Sequence, residues 1–282
     1  MKIAILLATY NSKRYLGEQI ASILNQTYKD WTLYVRDDGS TDGTQDLIED
    51  YVLKYPNKII HIVNGNNGLK AYHNFLSLLY DVDADYYLFS DHDDVWLPNK
   101  IELSLNLMQE AIDKFGNEIP LLVYSDMKVV NENIEIINNS FWKYSKLLPN
   151  CIKFEELVFC NSVNGCTILI NQKAKDVSKK NIPYCTMHDM LTAQSVAANY
   201  GKLLKLDEPT VLYRQHANNV IGARDINIKY FLTKLIHPFE KIKLYIALFK
   251  QINKIKRVSV LKFIYYKIKI VILRLSASII YR

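Results

Sequence analysis

Glycine is scarce in this chain, at 9 of 282 residues, while apolar residues make up 49%. That balance excludes a low-complexity or disordered polypeptide. Cysteine is sparse too. Cys151, Cys160, Cys166 and Cys185 contain no CxxC pair, which argues against a zinc knuckle or a thioredoxin-like redox motif. They read as reduced, mostly buried thiols of a cytoplasmic protein. No uncharged apolar stretch reaches ~18 residues, so no spanning helix is expected. The opening run Ile3–Ala8 is too short for the apolar part of a secretion signal and reads as a first buried strand. Internal repeats and Gly-, Pro- or Ser-rich linkers are also missing. The length allows one large or two modest domains with a substantial core.

Charge is unevenly placed. The net charge is +6. Arg224 to Arg282 carries fourteen Lys+Arg against two acids, Asp225 and Glu240, a segment charge of +12. The residues before it sum to −6. A mildly acidic body with a strongly basic tail points to a membrane surface or a nucleic acid as partner.

The first hundred residues alternate strand-like and helix-like segments. Ile3–Ala8, Trp31–Arg36, Ile59–Val63 and Tyr86–Ser90 read as strands. Tyr15–Leu24, a segment through Leu47–Val52, and Leu69–Tyr80 read as helices. This rhythm predicts a doubly wound, largely parallel α/β sheet. Ligands of such sheets sit at the carboxyl ends of the strands. The loops expected there are Thr9–Ser12, Asp37–Gly43, Asn64–Lys70 and Asp91–Pro98, and all are polar or acidic. Further on, Leu121–Tyr124, Thr167–Ile170 and Thr210–Tyr213 read as short strands and Met190–Asn199 as a helix. Residues 1–223 form one expected domain. Residues 224–282 form a helical appendage, with Pro238 separating Tyr230–Ile236 from a later helix.

Asp91-His92-Asp93-Asp94 sets the chemistry. Three carboxylates in four residues at the end of a buried strand repel one another unless a cation neutralises them. Mg²⁺ and Mn²⁺ prefer such hard oxygen ligands, commonly one or two carboxylates plus substrate phosphates. A metal–diphosphate site follows, weighed against a solvated acidic turn.

Taken in order, Ala8-Thr9-Tyr10-Asn11, Ser22–Tyr28, Asp37–Thr44 and Ser90–Trp96 resemble family 2 glycosyltransferases of the GT-A fold. Asn164–Thr167, His188-Asp189 and Tyr213–Val220 are similar to a rhamnosyltransferase-like branch. The resemblance implies inverting transfer of a sugar from a nucleotide diphosphate, dTDP-rhamnose being a reasonable first donor, to an acceptor hydroxyl, with residues 1–223 as the catalytic domain, 1–100 its nucleotide-binding half and 101–223 its acceptor-binding half. Asp38 aligns with the residue that accepts a hydrogen bond from the base. Asp37 supports the loop or meets the ribose, and Ala8 and Tyr10 line the base pocket. Asp93 is the implied metal ligand, and Asp91 reaches the ribose or a metal-bound water. Asp94 caps the next helix or steadies Asp93, and His92 is an exposed spacer. His216 completes the metal site or is a satisfied core histidine. Arg214 and Lys70 are candidates to meet the diphosphate. Trp96, Gly165, Cys166 and His188 are candidates for the acceptor or sugar pocket, with Trp96 equally able to pack beneath the loop. Asp189 is the implied general base, against an ordinary helix cap.

A Q-x-x-R-W signature, typical of processive members, is missing, which favours addition of one sugar. In the tail, Lys243, Lys250, Lys254 and Arg257 share a narrow arc if helical. An interfacial helix on an anionic inner membrane face is expected, against helices packed on the catalytic domain. The acceptor would be a lipid-linked or growing surface glycan. A sugar nucleotidyltransferase is the competing enzyme class, but Thr9–Ser12 offers no Gly-rich basic loop. Nucleic-acid binding by the tail is a further alternative, and the acidic body and missing recognition motif speak against it.

Overall fold

Strand β1 (Ile3–Thr9) is buried at all seven positions. That is what an apolar run without alternation produces in a parallel sheet covered on both faces. It lies between β2 (Thr32–Asp37) and β4 (Tyr86–Ser90), parallel to both, and β3 (Ile59–His61) extends the sheet beyond β2. Helices α1 (Lys13–Leu24), α2 (Thr44–Lys54) and α3 (Lys70–Asp81) connect these strands. In α1 the buried Leu16, Ile20 and Ile23 fall at helical spacing, the pattern of a one-sided amphipathic helix. The computed structural model describes residues 1–63, 65, 67–181, 187–217, 219, 222–223 and 238–280.

The second half adds β5 (Val95–Trp96), β6 (Leu121–Val130), β7 (Ile136–Asn138), β8 (Leu169–Asn171) and β9 (Lys202–Arg214). The sheet order is β3-β2-β1-β4-β8-β6-β9-β5, with β7 paired to β6. Strand β8 runs antiparallel to both β4 and β6, whereas β6 and β9 are parallel. Helices α4 (Lys100–Phe115), α5 (Phe141–Tyr144), α6 (Phe154–Leu157), α7 (Gln172–Asn181) and α8 (His188–Ala198) complete the body. One apolar core runs from Ile3 to Val211 through both halves. The fold is the mixed α/β arrangement with a mostly parallel sheet that the sequence leads one to expect.

Strands β6 and β9 are longer than their apolar runs. Asp126 interrupts the β6 pattern, yet its carboxylate accepts bonds from Met127 N (2.8 Å), Trp142 N (3.1 Å) and Ser140 Oγ (2.5 Å). A buried polar group so satisfied does not end a strand; the pairing shifts register there instead. Thr167, expected in a strand, lies in a 3₁₀ turn over Gly165–Thr167, with its hydroxyl on the Asn164 carbonyl at 2.8 Å.

The tail forms α9 (Pro238–Ile255) and α10 (Val260–Ile280). They pack on the body through Ile252, Val258 and Phe263 against Phe154 and Val158. Ion pairs Lys262–Glu155 and Lys269–Glu156, each 2.6 Å, reinforce the contact. Of the two tail readings, packing on the domain is the one observed, and α10 still presents an outer face. Pro238 opens α9, as a proline at a helix start should. Tyr230–Ile236 lies outside the described residues.

Candidate active site

The loops after β1, β2 and β4 gather at one edge of the sheet. Each is held by side chains spent on backbone. Asp37 accepts bonds from Gly39 N (3.0 Å), Ser40 N (2.7 Å), Ser40 Oγ (2.5 Å), Thr9 Oγ1 (2.8 Å) and Gln45 Nε2 (3.0 Å). Its acceptor capacity goes into building the turn, so of the two roles expected of it loop support is the one in place. Gly39 permits that turn at φ +88°, where a Cβ would press on Asn67 at 3.1 Å. Asp38 is buried and accepts from Leu69 N (2.9 Å) and Lys70 N (2.7 Å), with Arg36 Nη1 at 3.4 Å. It ties the end of β2 to the start of α3. Lys70 itself is exposed at φ +64°. Tyr10 is 56% exposed at the mouth of this edge, a ring available to stack on a planar ligand.

After β4 the four residues of the acidic loop take different surroundings. His92 is half-buried, with Nδ1 3.3 Å from the Ala8 carbonyl, so it pins this loop to β1 and is not the exposed spacer expected. Asp93 lies 2.8 Å from His216 Nε2, and the His216 ring rests on Tyr15 with centroids 4.8 Å apart. Asp94 is fully buried; one oxygen accepts from Arg214 N at 3.1 Å and the other has no hydrogen-bond partner among the described residues. It does not cap α4, whose N-cap is Asn99. Burial, then the charges of Asp93 and Asp189, push Asp91 up to about 7. Burial, then Asp93 and Asp91, push Asp94 well above the carboxylate range.

Asp189 stands in the first turn of α8. Burial raises its carboxyl to about 6, opposed by hydrogen bonds from the backbone N–H groups of Met190, Asp189 and Gly165. The Met190 bond measures 2.6 Å. A carboxylate titrating near neutrality, held by backbone donors and felt by Asp91, suits a general base.

Several candidates turn out to be scaffolding. Arg214 is 2% exposed: Nε donates to the Asp93 carbonyl (2.8 Å), Nη1 to the Glu132 carbonyl (2.5 Å), and Nη2 pairs with Glu18. Its guanidinium also lies over the Tyr15 ring. With these donors committed to the acidic loop and its surroundings, it steadies that loop and does not point at a diphosphate. Replacing it with alanine leaves the Asp93 and Glu132 carbonyls without this donor, Glu18 being solvated, and should lower unfolding stability by about 2 kcal/mol in urea denaturation. Trp96 is 2% exposed and packs beneath the loop. His188 is likewise interior, stacked on Phe75 at 4.1 Å and near Phe89 at 5.1 Å. Neither ring nitrogen has a partner among the described residues, and burial lowers it to about 3, so it is neutral packing and not an acceptor contact. Gly165 is required there, because a Cβ would collide with His188 Nε2. Cys166 is buried, its thiol pushed up by burial first and then by the charges of Asp94 and Asp91.

Lys100 was not legible in the sequence. It is fully buried at the first position of α4; Nζ donates to the Cys166 carbonyl at 2.8 Å and sits 4.7 Å from the centre of the Trp96 ring. A lysine one turn after an acidic loop ordinarily faces solvent, and nothing in the spacing marks this one as interior.

The donor set fits a hard divalent cation. One oxygen each of Asp91 and Asp94 and the Cys166 sulfur lie within 4.8 Å of one another. The unpartnered Asp94 oxygen and the raised Asp91 carboxyl mark charge that wants neutralising. The protonated thiol is the poor ligand of that group and the carboxylates of Asp91 and Asp94 the suitable ones, while Asp93, 2.8 Å from His216, stands outside it.

A family model, "Glycosyl transferase family 2", matches residues 4–125. The chain is 31% identical over 229 residues to the dTDP-rhamnosyl transferase RfbG of Shigella flexneri, covering 77% of this chain and 74% of that protein. It belongs to glycosyltransferase family 2. An uncharacterized glycosyltransferase of Haemophilus influenzae is 26% identical over 251 residues, covering 83% of this chain and 75% of that one. Among solved structures, S. aureus TarS 1–349 in complex with UDP superposes with TM-score 0.60 at 16% identity, over all of this chain and 91% of that one. A mannosyltransferase from Pyrobaculum calidifontis, solved with GDP-Man and Mn²⁺, gives 0.55 at 13% identity, over 99% of this chain and 73% of that one. These two support the GT-A fold.

Proposed function

We propose that this glycosyltransferase transfers a single sugar from a nucleoside-diphosphate donor to a hydroxyl of a lipid-linked or growing surface glycan, inverting the anomeric carbon. The observation that carries the reading is the convergence of Asp91, Asp93 and Asp189 at the carboxyl edge of the sheet, with Asp189 raised to about 6 and held by backbone N–H groups. The likeness to a dTDP-rhamnosyl transferase makes dTDP-rhamnose the first donor to try. A relative from Escherichia coli, 28% identical over 53% of this chain, is named for glucosyl transfer to a diphosphoundecaprenol-linked sugar, which favours a lipid-linked acceptor at the inner membrane face.

The donor base enters beside Tyr10 and the turn built by Asp37 and Asp38. Asp38 already spends its carboxylate on Leu69 N and Lys70 N, so a base competes with or displaces those bonds. Lys70 is exposed at the same edge, where a cation meets a diphosphate. Asp91 and Asp93, with His216, would hold Mn²⁺ or Mg²⁺. A bound divalent cation acts as a Lewis acid on the departing diphosphate oxygen. Asp189 takes the proton of the attacking acceptor hydroxyl as the glycosidic carbon becomes oxocarbenium-like.

Incubation with a panel of nucleotide sugars and isolated lipid-linked glycans tests the reading by mass spectrometry. A mass increase of one sugar, with an inverted anomeric configuration, is expected. Pyrophosphate exchange into a nucleoside triphosphate, with no transfer from any donor, would instead identify a sugar nucleotidyltransferase.

A further inference from the structure

Helix α10 has two apolar faces, and only one is used by the fold. Phe263, Ile270 and Ala277, spaced by seven residues, are buried against the body. On the opposite side, Leu261 (82%), Ile264 (49%), Tyr265 (60%), Ile268 (55%) and Ile272 (56%) are exposed. At roughly 100° per residue these five span an arc of about 100°, a continuous stripe and not scattered exposure. Such a contiguous apolar surface marks an interaction site.

The neighbouring helix presents a different chemistry. Phe249 packs on Phe263 at 5.2 Å and Lys267 lies over Tyr245 at 4.6 Å, so α9 and α10 form an antiparallel pair. The exposed residues of α9 include Lys243, Lys250 and Lys254, and Arg257 is exposed just beyond it. The only acid between Pro238 and Ile280 is Glu240. Basic residues on the flanks of α10 are committed inward, Lys262 and Lys269 to Glu155 and Glu156. That leaves the outer stripe of α10 uncharged and the outer arc of α9 positive. None of the helices described is long and apolar enough to cross a bilayer.

We infer that the outer face of α10 is the membrane-contacting surface of this enzyme, lying in the plane of an anionic bilayer with the basic arc of α9 against the lipid headgroups. An apolar stripe beside a cluster of lysines matches a surface with negative headgroups above hydrocarbon. A second copy of the chain would set one basic arc against another. The inference deepens the proposal of a lipid-linked acceptor and rests on it for its purpose. Ala197 and Ala198, at the end of α8, pack against the tail cluster, whereas Asp189 stands at its start. The base is thus about 14 Å of helix away from the tail contact, a distance suited to a sugar carried on a membrane-anchored diphosphate.

The test uses the full chain and sedimentation with vesicles of neutral phosphatidylcholine, alone or with about one-third phosphatidylglycerol. Binding to the anionic vesicles, weakened severalfold by raised salt, is expected. Ile264→Asn/Ile268→Asn should lower that binding at least about tenfold. A Lys250→Glu/Lys254→Glu pair, which leaves the stripe intact, should lower binding to anionic vesicles and leave any residual neutral binding unchanged. Ile268→Trp should give a blue-shifted emission change on vesicle addition even if the double variant folds poorly. No vesicle binding by the wild-type chain overturns the inference, as does a solution dimer that Ile264→Asn/Ile268→Asn dissolves. Nucleoside-diphosphate affinity measured on the same preparation reports on the catalytic reading separately and should be equal in wild type and tail variants.

Discussion

Asp189→Asn should lower turnover by about 10³-fold while changing nucleoside-diphosphate affinity by no more than about twofold. The amide keeps the shape of the side chain and can still accept the Met190 and Gly165 backbone bonds. What it loses is the ability to take a proton. The wild-type rate should also fall as pH drops through about 6, because Asp189 acts as a base only when ionised and its carboxyl is raised to about that value. The variant's residual rate should lack this limb. The N-cap of α8 is Met187, so Asp189 is not the cap but braces the first turn through Met190 N, a bond that asparagine keeps. If bracing that turn were its whole role, the variant would keep both its stability and its turnover, and the assignment would fail.

Asp93→Asn should abolish most of the advantage that Mn²⁺ gives to nucleotide binding, a loss of at least about tenfold in metal-dependent affinity. An amide oxygen is a poorer ligand for a hard cation than a carboxylate. The substitution also removes the negative charge beside His216, 2.8 Å away. Calorimetric titration with and without Mn²⁺ separates the two consequences. Affinity measured in a chelator should change little, since no metal is then involved. Asp93→Asn that binds nucleotide with the wild-type metal response would place the cation elsewhere, with Asp91 and Asp94 as the remaining carboxylates of the loop.

The strand ends were legible in the sequence, because apolar runs closing on acidic or Asn-rich loops leave a clear trace at Thr9, Asp37 and Ser90. So was the acidic loop, whose local charge demands an explanation. What a buried polar residue does with its hydrogen bonds is not local, and there the sequence was less informative. Arg214 and Lys70 are both cations beside motifs, yet one is committed to the Asp93 and Glu132 carbonyls and Glu18 while the other remains in solvent. His188 adjoins the base in sequence, but the helix turns its ring into the space between Phe75 and Phe89. Lys100 needed Cys166 and Trp96, far apart in sequence, to become visible as an interior group. The tail divided in the same way. Its basic arc could be counted from the sequence, but the face of α10 that docks and the face that remains open depend on where α6 and α8 stand.

The acidic loop and His216 should make donor binding depend on a divalent cation. The most direct measurement is a calorimetric titration of the wild-type chain with a panel of nucleoside diphosphates, dTDP first, in Mn²⁺ and in EDTA. At least one nucleotide should bind about tenfold or more tightly in Mn²⁺. Equal affinities in the two buffers for every nucleotide that binds would contradict the claim.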